Sequence, residues 1–94
     1  MNGARKMLLK ASEKLELPSD VLAGVPRIEI LGDGKCSIEP QRGLLEYSEM
    51  RISVSTELGR VHVFGEKMRI KDMNAHRIVI AGRLEKISFA AFPI

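Results

Sequence analysis

Alternation of apolar and polar residues between Arg51 and Phe89 constrains the fold of this 94-residue chain more than any other feature. The apolar positions are Ile52, Val54, Val61, Val63, Met68, Ile70, Ile78, Ile80, Leu84, Ile87 and Phe89. Charged or hydroxyl residues fill many of the gaps between them. Because successive side chains of a β-strand point to opposite faces, this period of two predicts strands with one apolar and one polar face.

Turn-forming residues divide the chain after Pro26 into about eight short segments with strand character. The segments are residues 27–31, 36–39, 44–48, 50–56, 60–65, 68–71, 76–81 and 83–89. Short strands without helices between them favour a mainly β fold, a small antiparallel β-sandwich or roll. A loose repeat that places Gly65 and Gly82 at similar phases leaves a short β-solenoid as the alternative.

Residues 4–16 carry a different pattern, which predicts a short amphipathic helix that ends before Pro18. The apolar face of that helix consists of Met7, Leu8, Ala11 and Leu15. A helix of this length is marginally stable by itself in water. It therefore docks on the sheet, lies on a membrane or a partner, or frays, and the sequence leaves all three open.

The formal net charge is +3, and most of the excess lies in residues 1–16. We divide the chain into this basic arm and one β-rich domain, residues 17–94. The domain itself is nearly neutral, which disfavours nucleic-acid binding, whereas a basic arm suits an anionic membrane surface. The expected partner-binding or membrane-binding residues are Arg5, Lys6, Lys10, Lys14, Phe89 and Phe92.

Two aromatic features depend on how the sheet is covered. The tail from Phe89 to Ile94 carries no charged residue, so it either folds back as core or forms an interface. Phe64 falls on the opposite face from Val61 and Val63, and we expect it in the core, with both faces of that strand covered.

The sequence shows no nucleophile, metal or phosphate motif, so we expect neither enzyme activity nor a cofactor. His62 and His76 lack the clustered ligands of a zinc site. The single cysteine, Cys36, has no partner for an internal disulfide, which is consistent with a reducing compartment. The short apolar run before Lys10 does not resemble a secretory signal, so we expect a cytoplasmic protein.

A series of weak motifs in a fixed order covers residues 17–89, and in this order the chain resembles the YabP/YqfC family of sporulation proteins. The matching segments include Leu17-Pro18-Ser19-Asp20-Val21, Val25-Pro26-Arg27-Ile28, Arg42-Gly43-Leu44-Leu45-Glu46-Tyr47, Val63-Phe64-Gly65 and Ile80-Ala81-Gly82-Arg83-Leu84-Glu85-Lys86-Ile87-Ser88-Phe89. These are strand and turn residues, so the resemblance speaks to the fold more than to a site.

The resemblance implies a small non-enzymatic protein that acts during spore maturation, in the mother cell or at the membrane that surrounds the forespore. Family members are encoded next to polytopic membrane proteins, which implies a membrane-protein partner. Two other hypotheses start from the residues themselves. Arginines on strands suit a small nucleic-acid-binding β-barrel, and exposed strand edges suit a self-assembling β-scaffold or homo-oligomer.

Overall fold

The computed structural model describes residues 25–91, which form one six-stranded sheet. The strands are β1 (Arg27–Leu31), β2 (Lys35–Glu39), β3 (Gly43–Tyr47), β4 (Arg51–Ser55), β5 (Arg60–Met73) and β6 (Ile78–Ala90). Their order in the sheet is β1-β2-β6-β5-β4-β3, and every neighbouring pair is antiparallel. The mainly β, antiparallel prediction is confirmed. The predicted helix over residues 4–16 lies outside the described residues.

The number of strands differs from the eight expected, because β5 and β6 each combine two predicted strands. The sequence predicts that Gly65 ends a strand and that Gly82 marks a bend or bulge between two strands. In the structure both lie inside long strands, whose pairing continues past three register shifts on β5. β-Bulges of this kind bend a strand without ending its ladder. The solenoid alternative is wrong, because the rungs of a β-helix are parallel and all pairs described here are antiparallel.

The sheet folds over on itself, so that its two halves bury one core between them. One half contains β1, β2 and the start of β6, and the other contains β3, β4 and the start of β5. Both halves contribute side chains that solvent does not reach: Cys36, Ile38, Ile52, Val54, Val61, Val63, Ile78 and Ile80. A flat single layer would expose the face that carries these side chains to solvent, so the two halves pack face to face.

The fold-over occurs at one corner, where β5 and β6 approach each other closely. Gly82 has a φ of +144°, and a Cβ there would lie 2.6 Å from the Cα of Met68. A Cβ on Gly65 would overlap the carbonyl oxygen of Arg83. Met68, only 1% exposed, fills the corner, and its amide donates to the carbonyl oxygen of Glu49 at 2.9 Å. Glycine is therefore a steric requirement at both positions.

Candidate functional site

The folded sheet is open on one side, between β1 and the end of β6. β1 is an edge strand, and residues 85–90 of β6 pair only with β5 among residues 25–91. Ile87 and Phe89 pair with the core residues Val63 and Val61, so they point inward. Ile30 pairs with Cys36 and points inward from β1. Apolar side chains of β1 and β6 thus line opposite sides of a gap into the core.

Two adjoining hollows occupy this gap. One of about 390 Å³ is lined by Val25, Pro26, Ile28, Leu58 and Phe89. The other, of about 240 Å³, lies further along the same two strands, between Ile30 and the segment Leu84–Ile87. We call the two together the open groove, defined by Val25, Pro26, Ile28, Ile30, Leu58, Leu84, Ile87 and Phe89. Ile30 is 51% exposed and Phe89 is 55% exposed, although both point towards the core.

A second apolar surface lies at the far edge of the sheet, on β3 and the turn after it. Leu45, Tyr47 and Met50 are 54%, 52% and 69% exposed, and we call these three residues the β3 surface. A register shift between Leu44 and Glu46 makes Leu45 a bulge residue. Large exposed apolar side chains on an unpaired edge promote association with another chain.

The outer face of β4, β5 and β6 is polar and internally bonded. The Oγ of Ser53 and the Nδ1 of His62 lie 2.7 Å apart. Ser53 is only 2% exposed, so its hydroxyl holds two strands together and is shielded from an approaching substrate. The ring of Phe64 has Arg51 at 5.3 Å and Lys86 at 5.4 Å from its centroid. The expectation that Phe64 belongs to the core is wrong, because these cations cover it on the outer face.

The side chains that could react or bind a metal do not come together in one site within residues 25–91. Cys36 is buried in the core, and desolvation raises the pKa of its thiol from 9.0 to about 11. His76 lies in the turn after β5, with its Nε2 4.0 Å from a carboxylate oxygen of Glu39. Within residues 25–91 no three His, Cys, Asp or Glu side chains are grouped to hold a metal ion. Nor does any helix in this range have the length and hydropathy to cross a bilayer.

Of the residues predicted to bind a partner or membrane, Phe89 lies on the open groove. Arg5, Lys6, Lys10, Lys14 and Phe92 fall outside the described residues. The sequence argument missed Ile30, Leu31 and the β3 surface. A signal existed: Ile30-Leu31 and Leu44-Leu45 place two large apolar residues side by side, and one of each pair must leave the inner face of a regular strand.

Comparison with known proteins identifies the family. The family model for the YabP family matches residues 23–91, which include all six strands. The chain is also 32% identical over 89 residues to the uncharacterized protein YqfC of Bacillus subtilis (strain 168), covering 93% of this chain and 96% of that protein. The chain belongs to the YabP family. No solved structure matches it significantly.

The range matched by the YabP family model begins at residue 23 and ends at residue 91. It therefore covers the strands that form the open groove and the β3 surface. The basic residues of the arm lie before it. The family pattern in this chain thus describes the folded sheet with its two apolar surfaces.

Proposed function

We propose that this YabP family member is a non-enzymatic assembly factor of sporulation that acts in the mother cell and docks on a membrane protein. Family membership supports the sporulation context, through the resemblance that led to it. The β3 surface is the observation that carries the docking role. Three large apolar side chains at one free strand edge would aggregate unless a partner covers them.

The β3 surface has the features of a small recognition patch. Tyr47 and Met50 belong to residue types enriched at protein interfaces. Glu46 lies next to them and bonds Arg51 at 2.8 Å, so a charged rim borders the apolar side chains. A free edge strand also offers backbone donors and acceptors to an added strand. We assign this edge to the protein partner, and the basic arm with Arg5, Lys6, Lys10 and Lys14 to the anionic membrane beside it.

The test introduces Leu45→Glu together with Tyr47→Lys into the gene of the native organism. Both positions are more than half exposed, so the fold should survive and the apolar contact should not. We expect loss of the protein from the membrane fraction and a drop in heat-resistant spores. Met73→Glu is the matched control, since Met73 is an exposed apolar residue of β5. Normal sporulation of the double variant, with unchanged membrane association, would refute the proposal.

Self-assembly is the second candidate, because β1 and β3 are the edges of the sheet and residues 25–91 supply no further strand to pair with them. An edge of one copy that pairs with the other edge of the next copy would produce an open chain of sheets. Sedimentation over a range of concentrations separates the two ideas. A monomer at every concentration would exclude self-assembly. Assemblies that grow with concentration and that Leu45→Glu with Tyr47→Lys abolishes would show that the β3 surface binds a second copy of this chain instead of a different protein.

A nucleic-acid-binding role depends on the outer face, where Arg51 and Lys86 flank Phe64. Base stacking on one aromatic ring beside cations is a known element of single-strand binding. Such binding weakens steeply with salt. We rank it below the docking role because Glu46 already pairs with Arg51. Absence of binding to single-stranded DNA or RNA at low salt removes it.

A further inference from the structure

We propose that the open groove is the docking site of the chain's own N-terminal segment, residues 4–16, which seats its apolar face between β1 and the end of β6. This inference goes beyond the assembly role, because it gives the arm a second location within the same chain when the arm is not bound to a membrane. It assigns the predicted amphipathic helix to one location on the domain. It also assigns a function to a side of the folded sheet that leaves the inward-pointing side chains of Ile30 and Phe89 about half exposed.

The groove calls for an apolar occupant. Its walls are mostly aliphatic and aromatic side chains from β1, β6 and the turn before β5, and Asp33, Glu85 and Lys86 line part of the smaller hollow. They are continuous with the core, because Ile28, Leu84 and Ile87 pack directly against it. In the larger hollow, a polar or charged occupant would lose hydration without a matching partner. The hollow that contains Leu58 is bounded by Val25, Pro26, Ile28 and Phe89, none of which is charged.

The N-terminal segment joins the described domain at this groove, since Val25, the first described residue, lines the larger hollow. Residues 17–24 form the connection back to the predicted helix, and eight extended residues reach up to about 28 Å. Thirteen helical residues span about 20 Å, and the five residues of β1 span about 17 Å. Length and reach therefore both suit a helix laid along β1.

The helical pattern of residues 4–16 suits docking by a single face. Met7, Leu8, Ala11 and Leu15 share one face. Arg5, Lys6 and Lys10 lie more than about 100° from the centre of this face, whereas Lys14 borders it beside Met7. Docking by the apolar face would leave Arg5, Lys6 and Lys10 in solvent and Lys14 at the rim of the groove. The same apolar face cannot lie in the groove and in a membrane interface at once. An anionic membrane therefore competes with the groove for this segment.

Disulfide trapping in the full-length chain tests whether residues 4–16 occupy the open groove. One variant carries Leu15→Cys with Leu58→Cys, and the matched control carries Glu13→Cys with Leu58→Cys. Residues 13 and 15 are about 200° apart around a helix, so only one of them can face the groove. The native thiol of Cys36 stays silent, because it is buried and burial raises its pKa to about 11. We expect an intramolecular disulfide to form at least about tenfold faster in the Leu15 variant, at a rate unaffected by dilution.

Equal rates in the two variants would overturn the proposal. So would a disulfide that joins two chains and disappears on dilution, because the groove would then hold a second copy. A measurement without cysteines guards against damage to the groove by Leu58→Cys. In the chain with Leu8→Lys and Leu15→Lys, the NMR methyl signals of Ile28 and Ile87 should shift, whereas Lys6→Gln, on the opposite side of the helix, should leave them in place. Unshifted signals in the double variant would also refute the docking of residues 4–16 in the open groove.

Vesicles of phosphatidylglycerol and phosphatidylcholine test the competition. Adding them to the Leu15 variant should slow disulfide formation, and salt should restore the rate because it screens the basic face. Pure phosphatidylcholine vesicles are the control and should have little effect. A trapping rate that anionic vesicles leave unchanged would contradict the competition.

Discussion

The two sides of the folded sheet use the same kind of residue in opposite ways. At the corner, β5 and β6 bend together, Met68 is 1% exposed, and glycines allow contact between backbones. At the open groove, inward-pointing Ile30 and Phe89 remain about half exposed. Both sides derive from the same alternating aliphatic pattern. The difference shows that alternation determines which face a side chain takes, whereas strand order determines whether that face is covered.

The corner should be the part of the molecule least tolerant of change. In Gly65→Ala the new methyl group would overlap the carbonyl oxygen of Arg83, which belongs to rigid backbone. We expect a loss of about 3 kcal/mol or more in the free energy of unfolding, measured with urea. Gly34→Ala is the control, since no heavy atom lies within 4 Å of the added Cβ. If both variants unfold at similar urea concentrations, the corner is not the rigid element described here.

Ile80 and Ile30 give the most direct comparison of a covered and an uncovered position. Both pair with Cys36, one from each side, so they lie in one row on the same face. Ile80 is fully buried and Ile30 is 51% exposed. Ile80→Ala should cost about 2–5 kcal/mol in unfolding free energy. Ile30→Ala should cost about 1 kcal/mol or less in the chain with Leu8→Lys and Leu15→Lys, where residues 4–16 no longer cover the groove. A loss at Ile30 as large as that at Ile80 in this background would mean that something other than residues 4–16 fills the groove.

Burial of Cys36 predicts a pH-dependent loss of stability. Its pKa is 9.0 when unperturbed and about 11 in the fold, so only the unfolded chain releases the proton between these values. The contribution of the neutral thiol is therefore complete below pH 9 and is lost as the pH rises to 11, by about 2–3 kcal/mol. Unfolding of the native chain and of Cys36→Ala should be compared from pH 8 to 11. Parallel curves for the two proteins would contradict the assignment.

The sequence predicted the strands well where alternation was regular. It placed β1 at its observed bounds and identified the bend at Gly82. It could not decide whether Gly65 ends a strand or bends one, because glycine serves both purposes. It could not distinguish Ile30 from Ile80, since edge and central positions depend on strand order. The open groove was also hidden, because its walls come from β1 and β6, near opposite ends of the described chain.

The prediction with the smallest expected effect concerns the outer face. It tests whether a hydrogen bond on that face also stabilises the half of the sheet whose inner face is buried. Ser53 and Ser55 share a strand and a face, but only Ser53 bonds His62, at 2.7 Å. Ser53→Ala should lower the unfolding free energy by about 0.5–1.5 kcal/mol, and Ser55→Ala by less than about 0.5 kcal/mol. Equal small losses in urea unfolding would show that water replaces the bond to His62 at no cost. The stability of this half would then come from its buried aliphatic face alone.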